Sequence, residues 1–374
     1  MKQRFKARVT RAVFLIGTCL RRVAWPLFAA RQRPDRARNY RAYAEAAINA
    51  LQGWYDPATG LYTGVTWWHS AICLDALIDY MARTGQRDAV EILATTFEKN
   101  ASNNFLENSY DDMAWWALAW INAFDLVGEI RYLEMARTIF AAMEKGWDEV
   151  CGGGVWWNFD RNYKNAIPNE LFLLLAVRLQ QRSVSNDERE YYRGWATRTW
   201  NWFKASGMIN ADHLVNDGLK NCQNNGETTW TYNQGVILAA LAELYQVSGE
   251  SAYLAEAEAI ADAVMKFLVT PEGILREPCE SRGCDSNGAQ FKGIFMRHLF
   301  TLYQVHKLPR YRAFILKNVI SLWENNRNEA NQFGLRWAGP YDSADASRQS
   351  SAAHAINAAI GFTNLPGQSD HDIR

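Results

Sequence analysis

The chain has 374 residues, and 48% of them are hydrophobic, which is enough to bury the core of one large domain or two ordinary ones. Its 40 basic and 40 acidic residues balance, so the chain lacks the positive field that attracts nucleic acid, and we expect no nucleic-acid partner. It contains no Cys-x-x-Cys motif and its six histidines are scattered, so we expect neither a metal ion nor a cofactor.

Residues 1–38 carry the one charge asymmetry of the chain, with many basic residues opposed by Asp35 alone. The apolar stretch from Ala12 to Leu20 has the length of a signal-peptide core and is too short to span a bilayer. Arg21 and Arg22 then interrupt it. We interpret this segment as a degenerate export signal or membrane-adjacent anchor in preference to a disordered basic arm. This interpretation predicts a secreted or cell-envelope location, with a cytoplasmic location as the alternative.

From Asn39 onward, hydrophobic periodicity predicts twelve helices and no convincing strand. The predicted ranges are 39–52, 66–83, 88–102, 110–126, 130–147, 165–181, 187–206, 230–248, 252–269, 288–305, 309–327 and 349–361. The odd helices are amphipathic and the even helices are apolar on all sides. Long connections precede the even helices and short ones follow them. This alternation predicts an all-α fold, an (α/α)6 barrel with six inner helices inside six outer ones. We expect a catalytic domain over residues 39–362 and a tail over 363–374.

The long loops should meet on one face, where the fourth helix opens with two adjacent carboxylates, Asp111 and Asp112. The helix dipole and the free N–H groups of the first turn favour at least one anion there. Repulsion between the two carboxyls should raise the pKa of the other, which separates a nucleophile from an acid. The alternative is that the pair only caps the helix.

Aromatic, amide and charged side chains gather at the mouths of the other even helices and in the loop before the sixth helix. Aromatic rings stack on sugar faces and amides hydrogen-bond hydroxyl groups, so this composition predicts a carbohydrate cleft. The candidate substrate-binding residues are Trp67, Trp68, Tyr110, Trp156, Trp157, Asn158, Lys164, Asn165, Asn169, Glu170, Tyr232, Asn233, Gln234, Phe291 and Lys292. Each also has a structural explanation: a tryptophan can belong to the core, and Glu170 can complement a helix dipole. Lys292 can also pair with Glu170 or an aspartate.

Five motifs together resemble those of glycoside hydrolase family 76, the α-1,6-mannanases. The motifs are Tyr-Asp-Asp-Met-Ala-Trp-Trp at 110–116, Gly-Gly-Val-Trp-Trp at 153–157, Lys-Asn-Ala-Ile-Pro-Asn-Glu-Leu at 164–171, Thr-Tyr-Asn-Gln-Gly at 231–235 and Phe-Lys-Gly-Ile-Phe at 291–295. The resemblance covers about Trp67 to Phe295. It implies an (α/α)6 barrel, retaining endo-hydrolysis of α-1,6-linked mannan, Asp111 as nucleophile and Asp112 as acid/base. The implied partner is an α-mannan polysaccharide or oligosaccharide, bound by a monomer.

Three other functions remain open at this point. A transglycosidase would use the same site with a glycan acceptor from the cell wall. A sugar epimerase would require paired histidines at the helix mouths, where His69 alone stands. A non-catalytic glycan-binding protein would not need the carboxylate pair.

Cys279 and Cys284 flank four residues of a loop and can close a small disulfide in an oxidising compartment. The alternative is two free thiols, which a reducing compartment would favour.

Overall fold

The computed structural model describes residues 38–362, and these form twelve α-helices. The helices are α1 (Tyr40–Gln52), α2 (Trp67–Thr84), α3 (Val90–Asn100), α4 (Tyr110–Val127), α5 (Ile130–Glu144), α6 (Ala166–Gln181), α7 (Asn186–Ala205), α8 (Thr231–Ser248), α9 (Ser251–Phe267), α10 (Ser286–Val305), α11 (Pro309–Asn325) and α12 (Ala346–Ile360). Every predicted helix is present, with ends within three residues of the prediction. The predicted export segment and C-terminal tail lie outside the described residues.

The even helices form a closed inner ring, as predicted. In this ring α2 packs on α4, α4 on α6, α6 on α8, α8 on α10 and α10 on α12, and α12 returns to α2. An inner helix such as α8 is buried on all sides from Thr231 to Leu244, whereas the outer helix α9 buries a single face. The chain is therefore an (α/α)6 barrel. In the part of the chain that the structure describes, no helix is both long and apolar enough to cross a membrane.

Five strands of two or three residues lie in the long loops, where the sequence analysis expected none. They are β1 (Tyr55–Asp56), β2 (Leu61–Tyr62), β3 (Lys164–Asn165), β4 (Gly218–Lys220) and β5 (Gln223–Asn224). Strands this short contain too few residues for an alternating pattern to be recognised. The antiparallel order β3-β4-β5 matters most, because its pairing of Asn165 with Gly218 joins the loop before α6 to the loop before α8.

A disulfide between Cys151 and Cys222 ties the same two loops together. The two cysteines are 71 residues apart, and nothing local in the sequence indicates that they pair. Cys279 and Cys284 are also bonded, as in the first of the two alternatives above. The strand pairing and the disulfide both join the loops before α6 and α8 in the folded protein, and the disulfide also restricts the unfolded chain.

Side-chain amides at the fourth position of three inner helices hold the long loops in place. These amides belong to Asn169 in α6, Gln234 in α8 and Gln349 in α12, and all three are fully buried. Their oxygens accept hydrogen bonds from the backbone N–H groups of Val155, Val215 and Phe333 at 2.7, 2.7 and 3.0 Å. The same contact therefore fixes three of the long loops to the inner ring.

Candidate active site

A cleft of about 510 Å³ opens on the face where the inner helices begin. It is lined by Thr66, Trp68, Ser109, Asp111, Asp112, Trp115, Trp157, Tyr163, Asn165, Asp217, Tyr232, Asn287 and Phe291. Seven of the residues predicted from the sequence meet here, including both aspartates. The (α/α)6 ring brings them together, since they come from four different inner helices and from the loop before α6.

Asp111 and Asp112 lie in the first turn of α4, half-buried beneath the loop before α6. Ser109 stands at the N-cap position, but its side chain makes no capping hydrogen bond. The backbone N–H of Tyr110 donates to the Trp157 carbonyl at 2.9 Å, which fixes that loop over the start of the helix. The indole Nε1 of Trp157 then donates to Asp111 Oδ2 at 3.2 Å. The loop thus positions Asp111.

The surroundings separate the acidities of the two carboxyls. Burial raises the pKa of Asp111 to about 6, and hydrogen bonds from Trp157 and the first-turn backbone limit the rise. Burial raises the pKa of Asp112 further, to about 8, with added repulsion from Asp111 and Glu107. Because the two carboxyls repel each other when both are charged, ionisation of Asp111 makes Asp112 hold its proton to higher pH. At pH 7 the favoured state has one anion, on Asp111, and one proton, on Asp112.

Aromatic rings form the walls of the cleft. Tyr232 and Phe291 stack face to face with their ring centroids 3.8 Å apart. Trp68 lies between Phe291 and Trp115, at centroid distances of 6.5 and 6.0 Å. Such rings present flat apolar faces on which the C–H face of a sugar can pack. The cleft combines these faces with carboxylates and an amide, the groups that bind hydroxyls.

The sequence analysis missed six lining residues: Thr66, Ser109, Trp115, Tyr163, Asp217 and Asn287. Two of these, Asp217 and Tyr163, contact each other. The Tyr163 hydroxyl donates to Asp217 Oδ2 at 2.7 Å, and Asn165 Nδ2 donates to the same oxygen at 3.1 Å. Asn165 also caps α6, since its Oδ1 accepts from the Ile167 N–H. Burial raises the pKa of Asp217, and these hydrogen bonds oppose the rise. A third carboxylate is therefore held in the cleft in a defined orientation.

The other ten predicted site residues do not line the cleft, although each is close in sequence to a residue that does. They are Trp67, Tyr110, Trp156, Asn158, Lys164, Asn169, Glu170, Asn233, Gln234 and Lys292. Nine of them are buried or serve the loops, as the amides of Asn169 and Gln234 do. Trp67 is packed against Phe105 and Trp116.

The two predicted lysines, Lys164 and Lys292, also hold loops in place by hydrogen bonds. Lys164 is buried, and its Nζ donates to Asp148 Oδ1 and to the carbonyls of Gly153 and Gly154 at 2.6–2.8 Å. Trp156 Nε1 donates to the other oxygen of Asp148 at 2.7 Å. Lys292 is fully buried and pairs with Glu280, so the suggested pairing with Glu170 or an aspartate is wrong.

Glu170 and Asn233 lie on adjacent inner helices and are completely buried. Within residues 38–362, neither the carboxyl oxygens of Glu170 nor the amide atoms of Asn233 have a hydrogen-bond partner. Burial, with the nearby charge of Asp217, raises the pKa of Glu170 well above its usual range. Burial therefore disfavours the charged form of Glu170, and this side chain does not line the cleft as a substrate-binding residue would.

A helical barrel with a carboxylate pair in an aromatic cleft defines the class of this protein, an (α/α)6 barrel with its site at the mouths of the inner helices. The chain belongs to glycosyl hydrolase family 76, whose family model matches residues 39–367. This match covers every helix of the described barrel.

The similar proteins include a relative known from its sequence and a solved structure. The chain is 28% identical to the mannan endo-1,6-alpha-mannosidase DCW1 of Candida albicans, over 62% of this chain and 57% of that protein. It is 26% identical to an α-1,6-mannanase of Salegentibacter sp. HEL1_6, with a TM-score of 0.77 over 87% of this chain and 100% of the other. That structure is of an inactive variant, with two consecutive aspartates replaced by asparagine, in complex with α-1,6-mannotriose.

The matches to relatives known from their sequences cover only part of the length of those relatives. The chain spans 59% and 62% of the lengths of two Schizosaccharomyces pombe relatives, to which it is 28% and 30% identical.

Proposed function

We propose that this chain is a retaining endo-α-1,6-mannanase and that Asp111 and Asp112 are its catalytic pair. One observation carries the proposal. Two adjacent carboxyls face an aromatic cleft of about 510 Å³, and their surroundings raise the pKa of Asp112 further than that of Asp111. A retaining glycosidase requires this division between a nucleophile and an acid.

In the proposed mechanism Asp111 attacks the anomeric carbon of the sugar and forms a covalent glycosyl-enzyme. The hydrogen bond from Trp157 orients its carboxylate before the substrate arrives. Asp112 protonates the leaving glycosidic oxygen in the same step. It then accepts a proton from the water that attacks the intermediate, which restores both groups to their initial states.

The adjacency of the two residues supports retention. Consecutive Cα atoms are about 3.8 Å apart, so the two carboxyl groups can reach the spacing of roughly 5 Å found in retaining enzymes. An inverting enzyme needs about 6.5–9.5 Å between them, because a water molecule must fit beside the sugar. Neighbouring residues on one helical turn reach that separation only with difficulty.

The substrate class follows from the relatives and from the chemistry of the cleft. The Salegentibacter relative binds α-1,6-mannotriose and is inactive when two consecutive aspartates are replaced. In this chain Tyr232 and Phe291 offer stacking faces, and Asp217 and Asn165 offer polar atoms for hydroxyl groups. We therefore propose α-1,6-linked mannose chains as the substrate and a monomer as the active form.

We further propose that the protein works outside the cytoplasm, at the cell envelope or beyond it. The two disulfides, Cys151–Cys222 and Cys279–Cys284, support this location because such bonds persist in oxidising compartments. Alkylation of the protein taken from its native host, before and after reduction, tests the location. Recovery of these four thiols in the free state would argue for a reducing compartment.

Activity should depend on pH through the pair. Since Asp111 must be ionised and Asp112 protonated, we expect kcat/KM for an α-1,6-mannan to fall below about pH 6 and above about pH 8. The exposed Glu107 contributes to the raised pKa of Asp112, so Glu107→Gln should move the alkaline limit to lower pH by a few tenths of a unit and leave the acidic limit in place. A profile that stays flat up to about pH 9 would contradict the assignment of the acid.

A reducing-end-labelled α-1,6-mannan tests the proposed reaction directly. We expect internal cleavage that releases labelled oligosaccharides, and an α anomer as the first product seen by NMR. Addition of an unlabelled sugar acceptor separates hydrolysis from transfer, because a transglycosidase would lengthen the acceptor. A β anomer as the first product would rule out retention, and the absence of any cleavage would overturn the proposed function.

A further inference from the structure

Two exposed aromatic residues, Trp157 and Phe159, are separated by a single residue in the loop before α6, and the reaction proposed above uses only Trp157. Trp157 is 39% exposed and lines the cleft. Phe159 is 50% exposed and lies outside the lining. A single exposed ring is ordinary, but one that continues the surface of a cleft enlarges the area on which a ligand can stack.

Trp157 and Phe159 flank Asn158, where the loop before α6 bridges to the start of α4. Ser109 and Asn158 form an antiparallel bridge, flanked by the hydrogen bonds from Tyr110 N–H to the Trp157 carbonyl and from Phe159 N–H to the Asn108 carbonyl. In extended backbone, residues two apart point to the same side and lie roughly 6–7 Å apart. Asn158, between the two rings, is buried.

The segment leads outward from the reacting groups. Trp157 contacts Asp111 through its indole, whereas the Phe159 ring packs edge-on against Tyr110 with their centroids 5.1 Å apart. Asp111 faces the cleft, and Tyr110, one residue earlier on α4, is buried outside it. Moving from Trp157 to Phe159 therefore leads from the catalytic pair to the outer rim.

Phe159 is also fixed before any ligand binds. Its N–H donates to the Asn108 carbonyl at 3.0 Å, and Trp157 N–H donates to the Tyr163 carbonyl at 2.8 Å. Tyr110, on which the Phe159 ring rests, is itself buried against Gly146. Because these contacts already order the ring, stacking a ligand on it costs little further conformational entropy.

We infer that Trp157 and Phe159 form an aromatic ledge that binds a sugar unit of the polysaccharide beyond the unit held by Asp111 and Asp112. This inference rests on the proposed function, because the cleft that the ledge continues must hold the sugar being cleaved. The ligand is an uncharged pyranose ring whose C–H face packs on Phe159. The ledge would make the enzyme prefer chains long enough to reach the rim.

The test is a length series of α-1,6-mannooligosaccharides, with kcat/KM measured for the wild type and for Phe159→Ala, Phe159→Trp and Phe267→Ala. Phe267 is the matched control, since it is a 40% exposed phenylalanine on the outer helix α9 that does not line the cleft. In the wild type we expect kcat/KM to rise once the chain is long enough to reach the ledge. Phe159→Ala should remove a roughly tenfold part of this rise, equal to about 1.4 kcal/mol, and leave the shortest cleaved substrate unaffected. Phe159→Trp should keep the preference, and Phe267→Ala should behave as the wild type.

Three outcomes would overturn the ledge. The first is a wild type with no preference for length, and the second is an equal loss at all lengths in Phe159→Ala, which would mean that Phe159 only supports Trp157. The third is the same loss in Phe267→Ala. Titration of the tryptophan fluorescence with the same oligosaccharides separates these outcomes from failure of the proposed function, because a wild type that neither binds nor cleaves any of them has no mannan site at all.

Discussion

Asp111→Asn should abolish the hydrolysis of every substrate, with a fall in kcat of at least about 10⁴-fold. Without the carboxylate no glycosyl-enzyme can form, and even an activated aryl α-mannoside, which needs no acid, should remain uncleaved. Asparagine still offers an oxygen to the Trp157 indole, so the hydrogen bond that positions the side chain is retained. The measurement is the rate of release of the aryl group, together with mass spectrometry for a trapped intermediate.

The folding of this variant is the first control. The pKa of Asp111 is raised by burial, so the charged carboxylate opposes folding, and this cost grows as the pH rises from the usual pKa of 3.8 towards about 6. Asparagine removes the cost, and we expect a melting temperature at pH 7 equal to or above that of the wild type. Glu107→Gln is the matched control for activity. It removes an exposed carboxylate near the pair, and its activity should stay within a few-fold of that of the wild type.

Azide gives the second control at this position. In Asp111→Ala a small anion can enter the space of the lost carboxylate and attack the anomeric carbon directly. A single displacement on an α-mannoside inverts the centre, so the product should be a β-mannosyl azide. An Asp111→Asn enzyme with substantial activity, or an α-azide from Asp111→Ala, would show that Asp111 is not the nucleophile.

The barrel could be predicted from the sequence because its signals are local. Inner helices are apolar on all sides and outer helices on one side, and this contrast alternates along the chain. Helix ends are marked as well: Gly128 closes α4 with a φ of 76°, a conformation that residues with a Cβ rarely adopt. Both properties are set by neighbours within a few residues, and the ring closure of α12 on α2 follows once all six hairpins are counted.

The direction in which individual side chains point was predictable from the sequence only in part. Each residue along a helix turns the side chain by about 100°, so an error of one position moves it from the cleft to a neighbouring element. At the start of α8, Tyr232 faces the cleft, whereas Gln234 holds the loop at Val215. The sequence places both at the mouth of the same inner helix and contains no signal that separates their roles.

Asp217 escaped prediction for a different reason. It precedes β4 in a long loop, and it reaches the cleft because β4 pairs with β3 and because Cys151 is bonded to Cys222. Both contacts join segments more than fifty residues apart.

The glycine run before α6 gave no information about the site in the sequence. Gly154 has a φ of 92°, and a Cβ there would lie 2.3 Å from the Trp202 ring, so this glycine is required for close packing.

Asp112→Asn should produce a defect that depends on the leaving group. Cleavage of mannan, whose leaving group is another mannose, should fall by about 10²–10⁴-fold, because general acid catalysis contributes that much. An activated aryl α-mannoside needs little protonation, so it should still load Asp111 at close to the normal rate. The intermediate should then accumulate, since no base remains to activate water. A burst of aryl release followed by slow turnover, measured by stopped-flow absorbance, is the expected signature.

The same azide reagent then distinguishes the two aspartates, because its product reports which step it replaced. In Asp112→Asn, azide needs no base and attacks the glycosyl-enzyme on the face opposite Asp111. Two successive inversions restore the original configuration, so the product should be an α-mannosyl azide. The proposed roles of the two aspartates predict this outcome together with the β-azide from Asp111→Ala. If the two products are exchanged, the roles of the aspartates are exchanged, and if neither variant loses activity, the pair only caps α4.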